Sequence, residues 1–206
     1  MSVVSAVLGM TFAHNGRIVE AMVCLALCGL FDALDGRVAR RKTDRSNDEK
    51  LYGIQLDSLS DAIAFGAFPA YLCFCIGVRG SIGIVAIIFF AMCGVARLAY
   101  FNVLETNDFF SDDPPKEKVY HGLPITAIAP ILPIFYLLHI IFAPRLFSLL
   151  LTALLILIGI LFISPFTLRK PKFWVVIVIC VVVLAALILL IISSGWMDGQ
   201  LIIWGN

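Results

Sequence analysis

The sequence predicts an all-α, polytopic membrane helix bundle of seven apolar segments, the first of them short. Three observations predict it. The chain of 206 residues is 61% hydrophobic and only 14% charged, with a mean hydropathy of +1.02, well beyond the apolar share of a soluble domain. Its apolar residues come in runs close to the roughly 20 that a helix needs to cross a bilayer. Its charged residues gather between those runs, and the basic ones gather on one side.

In chain order, Ser2 to Ala13 is apolar but too short to span alone, and Ile18 to about Arg40 is full length. The charged segment Arg41 to Tyr52 reads as a loop, after which Gly53 to Val78 forms the third helix and Ser81 to Leu104 the fourth. Glu105 to Tyr120 is a second charged loop, its acids most simply a solvated face. The motif His121-Gly-Leu-Pro124 opens the fifth helix, Leu123 to Phe142, since proline is tolerated in a first helical turn. Leu146 to Leu168 and Phe173 to Ser193 complete the set, dividing the chain into a membrane domain, 1–168, and a further helix with its tail, 169–206.

Cytoplasmic loops of membrane proteins carry an excess of Lys and Arg. With the end of the second helix placed inside, the inner loops hold eleven basic residues, from Arg37, Arg40 and Arg41 through Lys116 and Lys118 to Lys172, and the outer loops hold Arg17, Arg79 and Arg145. The N-terminus is then inside and the C-terminus outside. Net charge of +1 gives no nucleic-acid signature. The six cysteines all lie in apolar runs, where free Cys acts as a small hydrophobe, so neither a disulfide framework nor a zinc site is expected. Signal peptide, internal repeat and low-complexity tract are all absent from the reading.

Acidic residues inside such runs demand an explanation, because ionisable groups in lipid are expensive and tend to be functional. Asp32 and Asp35 are three apart and Asp57 and Asp61 four apart, so each pair shares a helix face. Gly36 and Ala39 continue the first face, and Gly53 lies one turn before Asp57, leaving room for a ligand. Converging carboxylates repel one another unless a cation joins them. Magnesium or manganese prefers oxygen ligands and leaves positions for phosphate oxygens, and two such ions can clamp the attacking and leaving oxygens of a phosphoryl displacement. The plainer alternative is that the aspartates snorkel, or pair with Arg37, Arg40 or Arg41.

The stretches Asp32-Ala-Leu-Asp-Gly-Arg-Val-Ala-Arg40 and Gly53-Ile-Gln-Leu-Asp-Ser-Leu-Ser-Asp61 resemble the signature of the CDP-alcohol phosphatidyltransferases, D-x-x-D-G-x-x-A-R followed by G-x-x-x-D-x-x-x-D. Every fixed position is filled, across a gap, Arg41 to Tyr52, longer than is usual in the family. Thr43 and Ser46 are the loop's candidates for phosphate contact. The resemblance implies a six-helix core, with the short first helix included and Phe173 to Ser193 as one extra C-terminal helix, and a homodimer with a polar cavity open to the cytosol and two divalent ions, Mg2+ or Mn2+, held by Asp32, Asp35, Asp57 and Asp61. It implies that Asp61 is also the general base and that Gly36, Ala39, Arg40 and Gly53 receive the CDP end of the donor. Arg suits phosphate oxygens through its forked donors.

Ala96-Arg-Leu-Ala-Tyr-Phe-Asn-Val103, Tyr120 to Pro130 and Leu56 to Ala70 resemble the phosphatidylserine synthase branch, with Tyr100 where that branch commonly has Arg. The implied reaction joins CDP-diacylglycerol and L-serine to give phosphatidylserine and CMP. Arg97 lies inside the fourth helix, and a carboxylate of the acceptor, or the aspartate cluster itself, would supply its counter-charge; the plainer alternative is a structural salt bridge to an aspartate. Asn102, about 140 degrees further round the helix, is a second candidate for the acceptor. His121 is a candidate for a phosphate or headgroup, though an interfacial histidine is more often simply solvated. The expected location is a prokaryotic cell membrane, with the active site facing the cytoplasm. The rivals are the same chemistry with glycerol phosphate or inositol phosphate as acceptor, or an archaeal-type lipid donor, and, from another class, a divalent cation transporter. Family members open with a complete first helix, whereas this chain enters an apolar run almost at Met1; a late-assigned start or a truncated form is expected.

Overall fold

In lipid a backbone must satisfy its own hydrogen bonds, which leaves the helix as the natural state of each apolar run. The computed structural model describes residues 1–39, 46–110, 120–165, 167–168 and 173–203. These form seven helices: α1 Ser2–His14, α2 Ile18–Ala39, α3 Asn47–Ile76, α4 Gly80–Phe110, α5 Ile125–Ile140, α6 Pro144–Ile163 and α7 Phe173–Ile203. Among the described residues, α3, α4 over Gly80–Thr106, and α6 are each long and apolar enough to cross a membrane. One strand pair, two residues long on each side, sets Tyr120 opposite Leu168 and His121 opposite Thr167. It ties the entrance of α5 to the exit of α6.

α1 packs along α2 at very close range. Gly9 makes this possible, because a Cβ there would collide with the Phe68 ring of α3 and lie 2.9 Å from Cys24 Cβ of α2. Overfilling such a contact costs about 1–3 kcal/mol. Gly9→Val is therefore expected to lower the midpoint of thermal unfolding in detergent, while an unchanged midpoint would show that the helices separate without penalty.

Two expectations about α3 are corrected. The segment read as loop up to Tyr52 is already helical from Asn47, because Ser46 and Glu49 form a reciprocal capping box: Glu49 N–H donates to Ser46 Oγ at 3.2 Å and Ser46 N–H to Glu49 Oε2 at 3.1 Å. Asp48 and Glu49 in the first turn also suit the positive end of the helix dipole. Ser46 thus serves as a cap. The second difference is a π-helical stretch, Ala62–Ala67, in the middle of α3. Before it, Asn47–Asp61 buries no side chain; after its start, Ala64, Phe65, Phe68, Leu72 and Cys73 are all fully buried.

The fourth helix runs six residues past its expected end, and α6 stops at Ile163, short of Leu168. α5 is a composite, opening and closing in 3-10 turns around a central α segment that contains Pro133. α4 and α6 pack through Phe90 and Phe162, whose ring centroids are 5.6 Å apart. α7 lies against α5 and α2 and buries Val183, Ala186, Leu187 and Leu190. At the end of the bundle that holds His14, a hydrogen bond of 3.0 Å joins that side chain to Tyr71, and Ser148 Oγ donates to Gly77 O at 2.8 Å.

Candidate active site

The opposite end holds the C-terminal ends of α2, α4 and α6 and the start of α3 and α5. There Asp32 of α2 meets Asp57 and Asp61 of α3, with carboxylate oxygens all within 4.8 Å of one another. The spacing of four residues stacks Asp57 and Asp61 one turn apart on the side of α3 that faces α2. Asp32 and Asp61 are half-buried and Asp57 is exposed. The donor set is three hard oxygen ligands from two helices, which suits a magnesium- or manganese-sized ion with positions to spare for water or phosphate oxygens. Asp35 stands outside this trio: it is exposed, and its Oδ2 lies 3.3 Å from the Met1 α-amino group.

Below the carboxylates the site has an apolar floor. Four and seven residues beyond Asp61, α3 presents Phe65 and Phe68, both fully buried in the core. The π-helical turn begins directly after Asp61, a position where such widened turns recur at functional sites. A row of carboxylates extending through the membrane, as an ion path requires, is not seen among the described residues.

Gly36 and Ala39 continue α2 in backbone, and their surroundings lie outside what the structure describes, as do Arg40 and Thr43 altogether. Gly53 is half-buried on α3, with open space where a Cβ would stand.

Arg97 is only 6% exposed. Its Nε donates to Leu123 O at 3.3 Å and its Cζ lies 5.9 Å from the Phe101 ring centroid, while Nη1 is buried without a hydrogen-bond partner among the described residues. It lines a cavity of about 360 Å³ with Ala96, Tyr100 and the residues Phe162 to Pro165 at the end of α6. Gly122, beside this wall, has φ of 79°, and a Cβ there would sit 3.1 Å from both Phe162 O and Ser164 O. A buried guanidinium at the wall of a cavity, with one nitrogen lacking a hydrogen-bond partner among the described residues, suits an anion.

Asn102 faces the other way, toward α3. Its Oδ1 accepts a hydrogen bond from Ser58 Oγ, and its Nδ2 donates to Gln55 Oε1 at 3.4 Å. Neither Ser58 nor Gln55 stood out in the sequence. The available signal was a pair of polar side chains three residues apart within a membrane helix, flanking Asp57.

Comparison with known proteins places the chain. Residues 1–157 match the CDP-alcohol phosphatidyltransferase family model, so the chain belongs to that family, an integral membrane family dependent on divalent metal. Among its relatives are a CDP-diacylglycerol–serine O-phosphatidyltransferase of Saccharomyces cerevisiae, 40% identical over 60% of this chain and 43% of the relative, and one of Methanocaldococcus jannaschii, 37% identical over 70% of this chain and 60% of the relative. An archaetidylserine synthase of Methanothermobacter thermautotrophicus is 37% identical over 65% of this chain and 53% of the relative. The chain thus spans about half the length of the curated relatives it matches.

Proposed function

We propose that the chain transfers the phosphatidyl group of CDP-diacylglycerol to the hydroxyl of L-serine, forming phosphatidylserine and releasing CMP. The observation that carries this is the meeting of Asp32, Asp57 and Asp61 within 4.8 Å at one end of the bundle, in a chain whose relatives bear the names of serine transferases. Asp32, Asp57 and Asp61 would hold divalent metal, Mg2+ or Mn2+, with Asp35 one turn away completing a set for two ions. Bound there, the metal supplies positive charge to the pyrophosphate of the donor and to the departing CMP.

The chain's own residues do the rest. Gly36, Ala39, Arg40 and Gly53 receive the CDP end, small residues admitting the nucleotide and Arg40 meeting its phosphates. Asp61 accepts the proton of the serine hydroxyl as the oxygen attacks the lipid-bearing phosphorus, and the bond to CMP breaks. Arg97 receives the carboxylate of serine in the cavity beside it. The amide of Asn102 is already engaged by α3, so in this reading the acceptor's anionic end rests on Arg97. In this reading the apolar floor of Phe65 and Phe68 keeps the reaction at the membrane boundary, and the excess of Lys and Arg in the loops on that side supports a cytoplasmic facing. Acyl chains of the donor remain in the bilayer, and a homodimer is the proposed assembly.

The test is CMP release by the purified chain given CDP-diacylglycerol, Mg2+ or Mn2+, and in turn serine, glycerol phosphate or inositol phosphate. Release with serine alone is expected; release only with another alcohol would overturn the acceptor. A second reading, an archaeal-type donor, is favoured by the likeness to the archaetidylserine synthase. It predicts faster release when the donor carries ether-linked isoprenoid chains. Metal uptake into vesicles without any CMP release would instead favour a transporter.

A further inference from the structure

The half of α3 that carries Asp57 and Asp61 buries no side chain fully, Asp61 itself being half-buried. Packing therefore does little to fix how that half is rotated about its own axis, although rotation decides whether its carboxylates reach Asp32. What ties it to a neighbour is polar. Ser58 and Gln55 share one face of α3, centred about 110 degrees from the face of Asp57 and Asp61 on the 100-degree step of an α-helix. Both meet Asn102 of α4, one at each end of its amide. An amide that accepts from one side chain and donates to another three residues away can do both only in one rotational setting of the helix. Loosening that setting is easy next to a π-helical stretch, which interrupts the regular ladder directly after Asp61.

We infer that Asn102 is a positioning residue: through Ser58 and Gln55 it sets the rotation of α3 that brings Asp57 and Asp61 to Asp32. This rests on the reading of the aspartate trio as a metal site. The side-chain hydrogen bonds of Asn102 run to Ser58 and Gln55, so it acts through the helix.

The test uses the full chain in detergent and Mn2+ alone, with binding followed by electron paramagnetic resonance. Asn102→Ala is expected to weaken Mn2+ binding about tenfold, the low end of the loss seen when residues supporting metal ligands are removed. Ser58→Ala is the milder variant, since it leaves Asn102 in place and removes one end of the tie. It is expected to weaken binding in the same direction, and the double variant is expected to be no weaker than Asn102→Ala. In turnover, kcat falls while KM for serine holds.

Three outcomes overturn the inference. One is a raised KM for serine with Mn2+ affinity intact, which would make Asn102 an acceptor contact. Another is a lowered melting temperature with Mn2+ affinity and kcat intact, which would make it a merely structural tie. Strictly additive losses in the double variant would show that the two side chains do not act through one bridge. Absence of Mn2+ binding to the wild-type chain would sink the metal-site reading itself, and this inference with it, and is told apart because it needs no variant.

Discussion

Asp61→Asn is expected to reduce CMP release by at least about a thousandfold, combining loss of a general base with loss of charge at the reacting phosphate. The change keeps the shape of the side chain and one carbonyl oxygen. It removes the lone pair that can take the proton of the acceptor hydroxyl, and it replaces an anionic metal ligand with a neutral one. The fold should not suffer. Asp61 is half-buried at the edge of the site, and the packing that anchors α3 comes from Phe65, Phe68 and Leu72 further along. Turnover measured beside a melting curve separates the two effects. A folded Asp61→Asn protein with activity within tenfold of wild type would remove the proton-transfer role.

Arg97→Met is expected to cut kcat/KM for serine by roughly a hundredfold, the loss of a charge-assisted hydrogen bond to the acceptor carboxylate. It is also expected to leave the melting temperature unchanged or raise it. Both follow from one geometry. Arg97 is almost wholly buried with Nη1 unpartnered among the described residues, so its charge burdens the fold, and a long apolar side chain in its place relieves that burden. A structural arginine behaves oppositely, because breaking a buried ion pair destabilises. Loss of melting temperature with kcat/KM unchanged would therefore assign Arg97 to the fold. Arg97→Lys should fall between, keeping the charge but not the fork.

The architecture was legible where it depends on local composition. Apolar runs separated by charged loops located all seven helices, since lipid permits little else. The aspartates at spacings of three and four announced a shared face, and Asp32, Asp57 and Asp61 do meet. Part of the rest was readable and missed: Ser46 and Glu49, three apart ahead of the apolar run, are the signature of a capped helix start. Other features depend on partners that no local pattern reveals. Ala62–Ala67 has the composition of an ordinary helix, and no local pattern marks its widened turn. Asn102 could be placed on its helix, but that its amide spans Ser58 and Gln55 is a property of α3 and α4 together. Asp35 belongs to the same motif as Asp32, yet one turn along α2 is enough to leave it outside the trio that meets within 4.8 Å.

A divalent-metal site made by α2 and α3 jointly is tested most directly by saturable Mn2+ binding to the purified chain. Saturable binding to the wild-type protein, lost on Asp32→Asn and equally on Asp57→Asn with the melting curve preserved, is the result this geometry predicts. Binding of wild-type strength in either variant would contradict it.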